Sequence, residues 1–335
     1  MAVAALAGLS AAAAAFSQGE VGKSLAWSLL AAAGAGVAFL CGRWLLAPDG
    51  GPQGIALERG SAGSLHRLID RVGARFGGVA VHAVWVTGDM NAAVLQRPRW
   101  GLVGPMQTHF MIGLPLIHSV SDRQFPAILA HEFGHLVRQR QGLAAWGCHV
   151  RAWWFRTMDR CIDDVPLLAE PIERWTSGYL EQARYLARLE EFEADLAAAQ
   201  VVGAELLGET LVEVAMKERY LAEDYWLQIL AQNAAEPSQP MRPYRDMGLG
   251  MAVGFRRTVH QHALRLSMAS GEDRSEDPHP SLSERLLALG ILPDEVVVEE
   301  GEAAVRHLSP MLPDLASIFD RAWRACQQDA GAAMR

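Results

Sequence analysis

The five residues from His131 to His135 constrain this chain more than any other stretch. They follow the pattern H-E-x-x-H, in which two histidines lie four residues apart. On an α-helix this spacing places both imidazoles on one face, one turn apart, where together they can bind one Zn²⁺. The intervening Glu132 could then reach a water molecule at the metal and take its proton. The alternative is that both histidines are structural and the pattern is accidental.

The residues around this motif predict the helix that such a metal site requires. Ser121 and Gln124 resemble a capping box, and Pro126 is tolerated only in a first helical turn. The helix is therefore expected to begin between Ser121 and Phe125. Apolar side chains recur at the spacing of one helix face, at Ile128, Leu129, Phe133, Leu136 and Val137.

A catalytic zinc site needs a third protein ligand, and residues 188–195 supply the better candidate. The metzincin subclass is excluded, because Arg138 and Gln141 occupy the positions where it has Gly and His. Glu191 and Asp195 lie four residues apart on a predicted helix. One carboxylate could bind the metal, and the other could hydrogen-bond a ligand histidine. The competing interpretation is that this acidic run is a solvated helix face.

Together, H-E-F-G-H and the downstream E-F-E-A-D resemble the HtpX-like and CaaX prenyl protease type I family of gluzincin zinc metallopeptidases. The resemblance covers roughly residues 78 to 290, including weaker elements near Asn91 and His279. It implies a mostly helical α+β fold, the gluzincin metallopeptidase fold, with a small sheet beside the zinc helix. It also implies one Zn²⁺ per chain, bound by His131, His135 and Glu191.

The same resemblance assigns roles to further residues. Asp195 is expected to hydrogen-bond a ligand histidine, and Asn91 to border the substrate cleft. His279 is a candidate catalytic residue, because an imidazole can donate a hydrogen bond to the oxyanion of a tetrahedral intermediate. Glu190 and Glu193 are then neighbours of the site and not ligands.

Residues 1–47 differ in composition from a globular domain and predict a membrane anchor. Leu25–Gly42 is uncharged and about one bilayer thick, and Arg43 with Trp44 marks an interface at its end. The Ala-rich stretch Met1–Phe16 is a weaker span, which would complete a helical hairpin. A signal peptide is the competing interpretation, but no basic region precedes the apolar run.

The charges that flank the apolar stretch predict the side of the membrane on which the catalytic domain lies, and composition predicts where that domain begins. Arg43 and Arg59 follow the second span, whereas Lys23 lies in the turn, which favours a cytoplasmic catalytic domain at the inner or cell membrane. Residues 48–60 contain Gly and Pro and are interpreted as a linker, leaving 61–335 as the zinc metallopeptidase domain.

Local patterns predict further elements in that domain. Helices are expected over Ser64–Arg75, 204–235 and 245–269, and strands over Val79–Val86, Gly101–Met106 and His109–Leu114. An edge strand beside the zinc helix could pair with an extended peptide substrate through backbone hydrogen bonds. A stretch rich in Trp and Arg between the two zinc motifs is either a membrane-interface segment or core.

Overall charge and cysteine content exclude nucleic-acid-binding and disulfide-rich classes of protein. A net charge of −8 gives no basic footprint for nucleic acid. The four cysteines show no paired spacing and form neither a disulfide framework nor a Cys zinc site.

The sequence therefore predicts a membrane-anchored zinc endopeptidase that hydrolyses extended protein segments in quality control. The alternative is a catalytically silent zinc-binding membrane protein that acts as a chaperone-like or scaffold module.

Overall fold

Helices predominate in the computed structural model, as the sequence predicts, and it describes residues 2–46, 54–100, 103–139, 142–236, 239–259, 279–292 and 301–333. The chain forms two compact units. The first contains Met1–Gly50, Arg97–Met106 and Trp146–Thr176, and the second contains Gly51–Gln96, Gln107–Ala145 and Ser177–Arg335.

Among the described residues, the helices in chain order are α1 (Ala2–Ser17), α2 (Val21–Leu46), α3 (Gly63–Arg75), α4 (Leu114–Ser119), α5 (Phe125–Gln139), α6 (Gly142–Asp164), α7 (Ala169–Val202), α8 (Ala204–Tyr220), α9 (Trp226–Ala235), α10 (Pro243–Leu249), α11 (Leu282–Ala288) and α12 (Leu312–Ala333). The strands are β1 (Ile55–Leu57), β2 (Ala83–Thr87), β3 (Ala92–Trp100) and β4 (Val103–Gly113). Short 3₁₀ turns span Pro166–Leu168 and Ala304–Leu308, and π-helical segments span Leu221–Tyr225 and Gly250–Gly254.

In the first unit, α1 and α2 form a helical hairpin in which small residues permit close packing. A Cβ atom at Gly8 would lie 3.0 Å from the Cβ of Ala31. Within α2, Val21–Trp44 is long and apolar enough to cross a membrane. The predicted apolar helix near the N-terminus is therefore confirmed, and α1 is shorter than a usual span.

The end of α2 contacts the end of α6 through polar groups. The indole Nε1 of Trp44 donates to Asp164 Oδ2 at 2.7 Å, and Arg43 pairs with the same carboxylate. Among the aromatic side chains of this unit, Trp175 is 70% exposed, whereas Trp153 and Trp154 are partly buried. Trp154 packs edge-on against Trp175, with ring centroids 5.6 Å apart.

The second unit contains most of a four-stranded mixed sheet in the order β1-β2-β4-β3. β2 is antiparallel to β1 and parallel to β4, and β3 lies at one edge. The two predicted strands Gly101–Met106 and His109–Leu114 are wrong as separate elements. They form the single strand β4, because no turn-forming residue lies between Met106 and Ile112. Residues 101 and 102 lie outside the described chain.

The strand predicted over Val79–Val86 is shorter than expected. β2 begins only at Ala83. Just before it, the Thr108 amide donates to the His82 side chain, at Nδ1, at 3.0 Å and not to a backbone carbonyl. β1 lies inside the predicted linker, and β3 was not predicted as a strand. Pro98 within β3 is tolerated because the strand lies at an edge.

The zinc-motif helix α5 lies over the sheet with its apolar face buried. Phe133 packs on Phe110 and Phe76, at ring-centroid distances of 5.8 and 5.9 Å. Its predicted start is confirmed, because Ser121 and Gln124 form the reciprocal bonds of a capping box, 2.9 and 3.3 Å long. The predicted helix Ser64–Arg75 corresponds to α3, which packs on α5.

The predicted helix over 204–235 is confirmed as α8, a π-helical segment and α9. It is separated from α7 by Gly203, whose φ of +91° suits glycine. The prediction over 245–269 is confirmed as far as residue 259, through α10, the second π segment and the helical residues 255–259, and the remainder lies outside the described residues.

Candidate metal centre

Helix α5 directs its two histidines away from its buried face. Leu129, Phe133 and Leu136 are fully buried on one side. On the opposite side, the rings of His131 and His135 meet edge-on with centroids 4.7 Å apart. Their Nε2 atoms are 3.2 Å from each other, which is the arrangement that the four-residue spacing predicts.

Glu191 on α7 brings a third donor to these two nitrogens. His131 Nε2 lies 3.4 Å from Glu191 Oε2, and His135 Nε2 lies 3.8 Å from Glu191 Oε1. One ligand atom from each of the three residues lies within 4.8 Å of the others.

These distances allow a test of whether the donors fit zinc. Two metal–ligand bonds of about 2.0–2.1 Å at a tetrahedral angle separate their donor atoms by about 3.3–3.4 Å. The observed separations of 3.2, 3.4 and 3.8 Å are close to that value. The set of two imidazoles and one carboxylate is also a zinc-binding combination that leaves a fourth position open. The residues therefore fit the ion.

Asp195 and Arg285 fix the orientation of His131. The ring Nδ1 of His131 lies 2.9 Å from Asp195 Oδ1, which leaves Nε2 directed toward the other two donors. Asp195 is fully buried and accepts two hydrogen bonds from Arg285, at 2.7 Å from Nε and 2.6 Å from Nη2. The same guanidinium lies 3.6 Å from Glu191 Oε2. The partly buried guanidinium of Arg285 thus faces two buried carboxylates.

The electrostatics of the cluster favour a positive charge between the carboxylates. Burial opposes protonation of His131, but its hydrogen bonds to Asp195 and Glu191 prevail and raise its pKa to about 9. Burial, together with the neighbouring His131, lowers the pKa of His135 to about 4. Burial opposes ionisation of Glu191, yet hydrogen bonds to His131 and His279 hold its pKa below the usual value. A divalent cation can take the place of the proton on His131.

Glu132 lies beside these donors in a different environment. Its side chain is buried, and burial raises its pKa to about 7. The carboxylate accepts a hydrogen bond from the backbone N–H of Val94 on the edge strand β3. Strand β3 thereby fixes the position of Glu132, which is not one of the three metal donors.

The other predicted site residues lie around the same cleft. His279 Nδ1 is 3.1 Å from Glu191 Oε1, although the His279 side chain is 68% exposed. Asn91 lines the cleft with an exposed side chain, and its carbonyl accepts the Gly113 amide at 2.7 Å. Glu191 is 8% exposed and lines the cleft, whereas Glu193 is exposed.

The cleft itself has a volume of about 1010 Å³. One wall is formed by the loop before β3 and by the strand, and the opposite wall is formed by α8 and the π segment that follows. Beyond the metal donors the lining is apolar at Leu116, Ile128, Leu207, Leu211 and Val214. A cleft of this size accommodates a peptide segment of several residues.

Sequence reasoning did not assign a role to Arg285 or Arg188. Arg188 on α7 contacts both oxygens of Glu284, at 2.7 and 2.9 Å, and donates to the His279 carbonyl at 3.2 Å. Ser281 and Glu284 form a capping box at the start of α11, which directs Arg285 at the site. The S-x-x-E pattern was a sequence signal for this helix start.

The fold and the site together are those of a metallopeptidase. The model of Peptidase family M48 matches residues 107–291, more than half of the chain, and the chain belongs to that family. This result confirms the predicted family of metallopeptidases. No curated protein and no solved structure gives a significant match to the sequence.

Proposed function

We propose that this chain is a zinc-dependent endopeptidase that hydrolyses peptide bonds in extended protein segments. The observation that carries the proposal is the convergence of His131, His135 and Glu191 at zinc-ligand spacing. A structural zinc site would require a fourth protein ligand. The group of metal-binding side chains found among the described residues contains three.

The side chains around this group suit peptide hydrolysis. Zn²⁺ in such a site polarises a carbonyl and acidifies water. Glu132 is the proposed general base, which takes a proton from the attacking water and passes it to the leaving amine nitrogen. His279 is the proposed donor to the oxyanion that develops on the substrate. Asp195 and Arg285 keep His131 oriented throughout.

The edge position of β3 supports an extended substrate. A strand at an edge presents unpaired backbone groups to which a peptide can add as a further strand. Because Val94 of this strand bonds Glu132, a peptide paired with β3 would run beside the general base. This geometry favours unfolded or locally extended proteins, and therefore a quality-control role.

We extend the proposal to anchoring in the inner or cell membrane through α2. Its segment Val21–Trp44 is only slightly buried within the protein, which suits contact with lipid. Arg43 follows the uncharged stretch Leu25–Gly42 of this helix and Lys23 precedes it, and the further cation Arg59 supports a cytoplasmic catalytic domain.

The variant Glu132→Gln tests the proposal, because an amide has similar size but cannot accept the proton. The full-length variant should bind as much zinc as the wild type and should not cleave unfolded casein. Wild-type cleavage should stop with a chelator and return with zinc. Equal single-turnover activity of wild type and variant would exclude Glu132 as the base. A zinc-loaded wild type that leaves casein intact would instead support the silent, chaperone-like alternative.

A further inference from the structure

The loop from Gly88 to Asn91 forms part of the cleft wall immediately before the edge strand. Its backbone packs directly on the end of β4: a Cβ atom at Gly113 would lie 1.7 Å from the Asp89 carbonyl oxygen. The Gly113 amide also donates to the Asn91 carbonyl at 2.7 Å. On this side the loop is therefore in contact with the strand that leads into α4.

On its other side the loop is held by Tyr244 of α10. The Tyr244 hydroxyl donates to the Gly88 carbonyl at 3.1 Å. A Cβ atom at Gly88 would lie 2.7 Å from that hydroxyl oxygen, so the close approach depends on glycine. Burial, followed by the nearby carboxylates of Asp89 and Asp320, raises the pKa of Tyr244 to about 12. The hydroxyl consequently remains a donor at neutral pH.

Tyr244 is held in turn by α12 and α9. Its backbone amide donates to Oδ1 of Asp320, a residue only 3% exposed, at 2.8 Å. Its ring packs against Phe319 at 5.2 Å and against Trp226 at 5.6 Å. A continuous set of contacts thus runs from the C-terminal helix through Tyr244 to the cleft loop.

These contacts join two parts of the chain outside the segment that matches the family model. The loop Gly88–Asn91 precedes residue 107, and α12 follows residue 291. Tyr244 itself lies within the matched segment but is not among the residues that line the cleft. Its influence on substrate must therefore pass through the loop.

We propose that Tyr244 is a positioning residue for substrate binding, which holds the Gly88–Asn91 loop and the start of β3 in place with α12 behind it. This inference rests on the proposed peptidase function. Loss of the contact changes the position of Asn91, but it leaves the bond from Val94 to Glu132 and the donors on α5 and α7 in place. The effect falls on KM and not on kcat or zinc binding.

The test is Tyr244→Phe in the full chain, which removes one hydrogen bond and retains the ring packing. For a casein-derived peptide we expect KM to rise about fivefold, with kcat and zinc content within about twofold of wild type. Tyr220→Phe is the matched control. Its hydroxyl donates to the Gly250 carbonyl at 3.0 Å, and it does not line the cleft. The control should lose comparable thermal stability without a change in KM.

Amide hydrogen exchange separates this inference from the proposed function. In Tyr244→Phe, peptides covering residues 88–91 should exchange several-fold faster than in wild type and in Tyr220→Phe, whether or not the protein cleaves peptide. Unchanged exchange there, or a KM equal to that of wild type, would overturn the positioning role. A fall in kcat or zinc content at constant KM would overturn it as well. Absence of zinc-dependent cleavage by wild type would instead count against the peptidase function alone.

Discussion

Helices α2 and α5 are both rich in apolar residues but expose them in opposite ways. On α2 large side chains face outward, with Leu29 64% and Phe39 71% exposed. On α5 the apolar residues form one stripe, and Leu129, Phe133 and Leu136 are fully buried. A helix that is apolar all round suits lipid, whereas a stripe suits a protein core and leaves the other face for chemistry. The two helices are therefore suited to different surroundings, α2 to lipid and α5 to a protein core, and mutations should distinguish them.

Removal of residues 1–47 should produce the largest change. The truncated protein should partition into the soluble fraction and retain zinc, as expected if the apolar span, and not the unit that contains the metal centre, holds the chain in the bilayer. Fractionation of membranes after a high-salt wash, with zinc analysis of the supernatant, measures both. If the truncated protein stays with the membrane, the segment containing Trp153 and Trp154 is an additional anchor.

A matched pair of substitutions sharpens the comparison further. Phe133→Ala on α5 removes a fully buried ring and should destabilise the catalytic unit by about 3–5 kcal/mol. Phe39→Ala on α2 removes an exposed ring and should change the free energy of unfolding by less than about 0.5 kcal/mol. Denaturant unfolding of both full-length variants in the same detergent gives the two values. Equal costs would mean that α2 is packed against protein as α5 is.

A smaller effect is expected from residues that support the histidines on the polar face of α5. Asp195→Ala removes the carboxylate that orients His131 and should lower zinc affinity by about 10–100-fold. Arg285→Met leaves Asp195 buried without its cation and should weaken zinc binding to a similar degree. Competition with a chromogenic chelator gives both affinities. Zinc binding by Asp195→Ala at wild-type strength would show that His131 is oriented without it.

Much of this site could be predicted because its key spacings are local. The histidines of α5 and the pair Glu191 and Asp195 each lie four residues apart on one helix, so helical geometry alone brings each pair together. The contact between Asp195 and Arg285 spans 90 residues and depends on how α11 packs on α7. No periodic pattern encodes such a contact, and the role of Arg285 was missed.

The sheet was predicted less well for a related reason. β3 carries Gln96, Arg97 and Arg99 and reads as polar, since an edge strand has fewer side chains to bury. The hydrogen-bond ladder between β2 and β4 ends where the His82 side chain accepts the Thr108 amide in place of a backbone carbonyl, and composition does not reveal such a replacement. Both features depend on neighbouring strands and not on local propensity.

The assignment of the three metal donors is tested most directly by zinc content across the acidic run of α7. Glu190→Ala, Glu191→Ala and Glu193→Ala would each be dialysed as full-length protein against a weak chelator, beside wild type. Glu191 is the buried member and lies 3.4 Å from His131 Nε2. We predict that Glu191→Ala loses its zinc and that the other two variants retain nearly one equivalent. Retention by Glu191→Ala, together with loss in either neighbour, would contradict the assigned site.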